Sequence, residues 1–187
     1  MIIEKENLLR ILKETKEAIK QEDVIKLKEL SNQTIHSASI SQDADSITLA
    51  VIVYSVSKIL ERTNYQDYSG WKKYFSSILN HIEHSLLALK KDDESVFRFE
   101  LKKIRKDISK LTGNFKKHIE EVFQKAEINK ASRIYEHGIS MEKTAKLLGI
   151  SMWDLLGYVG KTGIGDVNLS VTMPTKKRIA IAEEAFK

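Results

Sequence analysis

The sequence contains no cysteine, which excludes disulfide bridges and thiolate-bound zinc or iron–sulfur centres. A single proline, Pro174, and 8 glycines in 187 residues leave too little turn punctuation for a many-stranded sandwich or barrel. Long apolar runs are also missing: the longest, Ile47 to Val56, is about half of what a membrane span requires. The opening stretch MIIEKENLLR is charged throughout, so no secretory signal is expected and the chain reads as cytoplasmic. Charge of one sign is not in large excess. The 31 basic and 26 acidic residues give a formal net charge of +5, which permits a polyanionic partner without demanding one. A Walker-type glycine loop, a Gly-x-Ser-x-Gly elbow and a His-Glu-x-x-His run are all absent. The expectation is a non-catalytic protein without a cofactor.

What is present is helix-forming. Ile3, Leu8, Ile11, Leu12 and Ile19 recur at helical spacing, and a second helix is expected from Asp23, a plausible N-cap, to about Ser41. The segment Ile47 to Leu60 is β-branched enough for a buried strand. Its unbroken helical continuation instead predicts a central, mostly buried helix, with Asp43, Asp45 and Ser46 at its start. Trp71, Phe75, Ile78, Leu79, Ile82, Leu86 and Leu89 mark a fourth helix, and Asp92 and Asp93 start the next. That helix is either kinked or interrupted at Gly113-Asn114 before Phe115, Ile119, Val122, Phe123 and Ala126 resume the pattern, so a hairpin and a kinked rod both remain open. The fold class expected is all-α: a helical bundle over 1–126, then a helix-turn-helix-like module and tail over 127–187.

Residues 131–163 carry the most specific pattern, ASRIYEHGISMEKTAKLLGISMWDLLGYVGKTG. Ser140 is placed to cap a short helix, Met141 to Leu148, and Gly149 suits a left-handed turn position. Ser151 and Asp154 then form a capping-box-like start to a second short helix. Ala145 is small where the helices cross, and Leu148, Leu155, Leu156 and Tyr158 are expected in the shared interior. Through Ile139-Ser140, Ala145, Leu148-Gly149-Ile150-Ser151, Trp153, Leu155-Leu156 and Gly163-Ile164, this segment resembles a region shared by small prokaryotic antitoxins paired with PIN-domain toxins. The resemblance covers about a fifth of the chain. It implies double-stranded DNA or a toxin protein as partner, with regulation of its own operon a common arrangement.

If DNA is the partner, the second helix lies in the major groove with Ser151 and Met152 near base edges. Phosphate contacts then fall to Lys143, Lys146, Lys161 and the cluster Lys176, Lys177 and Arg178. No Arg, Asn or Gln occupies the early turns of that helix, so shape-driven binding is favoured over base reading. A homodimer is expected, because one copy offers few phosphate contacts. Two other readings stay open: a helix pair that only packs, and a partner protein bound through the tail, where VNLSVTM is strand-like and the last residues suit a closing helix.

Of the five histidines, His81 and His84 stand three apart on one predicted helix, a spacing at which both reach one metal, although surface histidines are the simpler reading. The run Ser31-Asn32-Gln33-Thr34-Ile35-His36 distantly resembles the Arg-Asn-x-x-x-His signature of HEPN-domain ribonucleases, which implies an RNA-directed helical bundle with His36 near its site. Ser31 stands where the arginine would be, which removes the cation that would stabilise a scissile phosphate. Tyr54, Tyr68, Trp71 and Tyr74 read as core or interface aromatics.

Overall fold

A computed structural model of the chain describes residues 4–41, 43–62, 65–107, 113–136, 139–148 and 150–162. Among them are eight α-helices, one 3-10 turn at Tyr65–Asp67 and no strand. The helices are α1 (Lys5–Lys20), α2 (Val24–Ser41), α3 (Ala44–Leu60), α4 (Trp71–Lys90), α5 (Glu94–Lys106), α6 (Gly113–Glu136), α7 (Met141–Leu148) and α8 (Met152–Thr162). The expected all-α bundle is therefore present. No helix among the described residues is long and apolar enough to cross a membrane. The strand-like VNLSVTM and the closing helix lie outside the described residues.

Three of the early helices, α2, α3 and α5, begin where an aspartate satisfies amide groups that have no intrahelical partner. The Asp23 carboxylate accepts from the Lys26 amide at 2.9 Å, and that of Asp93 from the Val96 amide at 3.0 Å. Asp43 accepts from the amides of Asp45 and Ser46 and from the Ser46 hydroxyl. The exits of α1 and α4 repeat one motif. Asp23 and Asp93 donate their amides to the carbonyls of Ala18 and Ala88, each at 2.9 Å, while Glu22 and Asp92 adopt positive φ of 53° and 58°. This closure turns the chain sharply, and α1 packs on α2 and α4 on α5. At Gly70, φ is 89°, a conformation that a side chain at the start of α4 would resist.

The core is organised around α3, which packs on α2 and α6 and touches α5 and α7. Leu49, Val53, Val56 and Ile59 are buried on it, and its Ser55 and Ser57 return their hydroxyls to carbonyls of the same helix. Trp71, at the start of α4, stacks edge-on to Tyr65 and tilts against Phe75; Trp71 and Tyr74 are core, while Tyr54 and Tyr68 are half-buried against it. At the other break, α5 ends at Lys106 and α6 begins at Gly113, and residues 108–112 between them lie outside the description.

Two smaller clusters seat the C-terminal helices. Ile134 of α6 and Ile139 before α7 join Ile35, Ala38, Ile47 and Ala50 of α2 and α3. Leu155 of α8 packs on Ala131 of α6, with Tyr135, Met141 and Ile150 around it.

Candidate binding surface on the C-terminal helix pair

The serine caps expected at the starts of α7 and α8 are observed. The Ser140 hydroxyl accepts from the Lys143 amide at 3.3 Å and starts α7. The Ile150 amide returns to the Ala145 carbonyl at 3.1 Å, the five-residue reach that closes a helix before a sharp exit. Gly149, within that closure, lies outside the described residues. The Ser151 hydroxyl then accepts from the Asp154 amide at 3.1 Å and bonds to the Asp154 carboxylate at 2.7 Å, tying the first turn of α8.

Leu155 is fully buried and fixes which face of α8 looks inward. A helix advances about 100° per residue, so Leu156 rotates out of the interior that Leu155 enters. Leu156 is 40% exposed, against the expectation of a shared interior position. Met152 is 43% and Trp153 80% exposed, and their spacing to Leu156, four and three residues, puts all three on neighbouring rows of the helix surface. Trp153 and Leu156 are the residues that spacing alone does not single out, since aromatic and aliphatic side chains at helical intervals read as core.

Of the residues expected to contact DNA, Lys143 and Lys146 are exposed three apart on α7 and so share a face. Ser151 is exposed, but its hydroxyl is committed to Asp154. Met152 joins the apolar patch. The side chain of Lys161 and the whole of Lys176, Lys177 and Arg178 lie outside the described residues, as do the side chains of Leu148 and Tyr158. The exposed start of α8 thus offers a serine, a methionine, a tryptophan and an aspartate, an apolar surface with one negative charge.

The ribonuclease-like run is split between two environments. The Ser31 hydroxyl is buried and donates to the Ala50 carbonyl at 2.8 Å, whereas His36 is exposed. Asn32 accepts at 3.0 Å from the ammonium of Lys130, a fully buried lysine of α6 that also lies 4.1 Å from the Tyr54 ring centroid. Burial, reinforced by the positive charges of Arg133 and Lys58, lowers the Lys130 amine from 10.5 to about 8. Nothing in the sequence pattern flags this lysine.

Of the two histidines of α4, His84 is exposed, in line with the surface reading, and His81 departs from it. The His81 side chain is only 13% exposed, between Glu100 of α5 and Asp107 just beyond it. Its Nδ1 lies 2.6 Å from the Glu100 carboxylate and its Nε2 3.0 Å from that of Asp107, which is also hydrogen-bonded by Ser77. Burial works to raise the Glu100 carboxyl, but the His81 hydrogen bond and the Lys103 charge leave it below its ordinary range.

A cleft of about 430 Å³ opens between α3, α5 and α6 over an apolar floor of Ile47, Val51, Leu101 and Phe123. Its arginines are already engaged, Arg98 with Asp45 and Arg105 with Glu127. Burial raises the carboxyls of Asp45 and Glu127 despite these partners. The cleft is nearly charge-neutral and suits an uncharged apolar group better than an anion. The chain matches no protein-family model, and no curated protein or solved structure is significantly similar to it.

Proposed function

We propose that this chain is a non-catalytic regulatory protein that binds a partner protein through α8, with Trp153 as the anchor and Met152 and Leu156 beside it. The exposed tryptophan carries this reading: an indole 80% open to water on a capped helix is the side chain type that dominates binding energy when a partner covers it. Lys143 and Lys146, on the helix packed against α8, favour a partner whose apolar contact surface is bordered by carboxylates. The resemblance to antitoxin sequences adds the expectation that this partner is a toxin. Duplex DNA is the less favoured occupant, because Asp154 repels phosphate and the first turn of α8 offers no bidentate reader of a base edge.

The test titrates the chain with the product of the gene adjoining its own and, separately, with duplex DNA, and follows the mass of the complexes. The partner reading expects Trp153→Ala to weaken protein binding at least about thirtyfold, a loss of about 2 kcal/mol, with the fold intact. DNA binding that falls steeply with salt, survives Trp153→Ala and is lost in Lys143→Glu/Lys146→Glu would replace it with the groove-docking reading. A dimer of the free chain that Trp153→Ala converts to monomer would identify a second copy as the occupant.

A further inference from the structure

We infer that His81, His84 and Glu100 form a binding site for a single transition-metal ion of the zinc class, bridging α4 and α5. One ligand atom from each residue lies within 4.8 Å of the other two, which is the convergence a single ion needs. The Glu100 Oε2 atom is 2.6 Å from His81 Nδ1 and 3.6 Å from His84 Nδ1. In a tetrahedral zinc site with bonds of about 2.0 to 2.1 Å, neighbouring ligand atoms are about 3.3 Å apart, so the two observed separations bracket the value required. A shift of Oε2 by less than about 1 Å, away from His81 and toward His84, brings both separations to that value, and the two imidazoles are within 4.8 Å of each other.

The surroundings are those of a ligand set rather than of a chance surface cluster. His81 and His84 are one turn apart on α4, and the third donor comes from another helix, so an ion here ties the α4–α5 hairpin together. The far nitrogen of His81 faces the Asp107 carboxylate at 3.0 Å, and Ser77 holds that carboxylate in turn. A carboxylate that receives the distal N–H of a metal-bound imidazole fixes the ring's tautomer and orientation, so that Nδ1, once the proton it shares with Glu100 is displaced, presents its lone pair to the ion. The Glu100 carboxylate is almost fully buried; Lys103 engages Oε1 at 3.4 Å, and Oε2 carries the 2.6 Å hydrogen bond from His81 Nδ1 that an incoming ion replaces, with its proton released to solvent. The His84 side chain is 60% exposed, so the ion sits at the solvent edge with a coordination position open to water.

Two imidazoles and one carboxylate favour Zn²⁺, Co²⁺ or Ni²⁺ over Mg²⁺ and Ca²⁺, which prefer shells made wholly of oxygen. The ion would serve as a clamp on the hairpin that carries Asp107 toward the break before α6.

The test uses the full chain without a histidine tag, treated with a chelator and then titrated with ZnCl2 and CoCl2 by calorimetry and visible absorption. The expected result is one ion per chain, intense tetrahedral Co²⁺ bands, a zinc-dependent rise in melting temperature and no response to MgCl2. His84→Ala, at an exposed position where folding is not at stake, should weaken binding at least tenfold, and Glu100→Gln likewise. Asp107→Asn should weaken it about 10- to 100-fold, as loss of an orienting carboxylate does. A stoichiometry near zero, or zinc binding unchanged by His84→Ala and Glu100→Gln, would overturn the assignment.

Discussion

Replacing Lys130 by methionine should leave the protein at least as stable near neutral pH and remove a dependence of stability on pH. The ammonium is fully enclosed, and among the described residues its compensation is a hydrogen bond to Asn32 and the face of the Tyr54 ring. The charges that act on it, Arg133 and Lys58, are both positive. A fall from 10.5 in the unfolded chain to about 8 in the folded one corresponds to about 3 kcal/mol of stability withheld while the group is protonated. Between those values the unfolded chain holds a proton that the folded chain has released, so stability rises with pH. Between about pH 7.5 and about pH 9.5 the gain is about 2 kcal/mol. The comparison stops there because burial pushes the Tyr74 phenol far up, and ionisation of that tyrosine in the unfolded chain acts in the opposite direction at higher pH. Urea unfolding followed by circular dichroism at both pH values, on the parent and on Lys130→Met, reads the effect directly. Parallel responses of the two proteins to pH would refute the reasoning, as would a methionine variant several kcal/mol less stable at the lower pH.

Asp43→Ala removes the acceptor for two amides and one hydroxyl at the head of the buried α3, and should cost about 1 to 2 kcal/mol in chemical denaturation without changing the fold. Leu155→Ala opens a cavity against Ala131 and should cost about 2 to 4 kcal/mol. Its effect should be local: hydrogen exchange is expected to speed up in α8 while α1 to α5 keep their protection.

Helices α2, α3, α5, α7 and α8 were legible because their starts are chemical. Asp23, Asp43, Asp93, Ser140 and Ser151 each place an oxygen where free amides need one, and a capping residue followed by a helical repeat is a local signal. The central helix α3 was harder, since a helix buried on most sides has no polar face for periodicity to reveal, and its β-branched run imitates a strand. The candidate sites were less legible. Trp153 and Leu156 stand at intervals that mimic a core stripe, and only the packing of Leu155 on α6 decides which side of α8 faces water. His81 and His84 signalled their spacing, but Glu100 and Asp107 come from beyond a helix reversal and meet them only once α5 packs back on α4. Lys130 resembles any helix-surface lysine until α2 and α3 close over it.

The emission of Trp153 reports whether the outer face of α8 is open to water. With Trp71 buried in the core and replaced by phenylalanine, Trp153 is the sole tryptophan of the chain. An open face gives red-shifted emission quenched by iodide nearly as efficiently as free tryptophan, and both properties reverse when the partner binds. Blue-shifted emission protected from iodide in the free chain would contradict an open face, because the face of α8 assigned to the partner would already be covered.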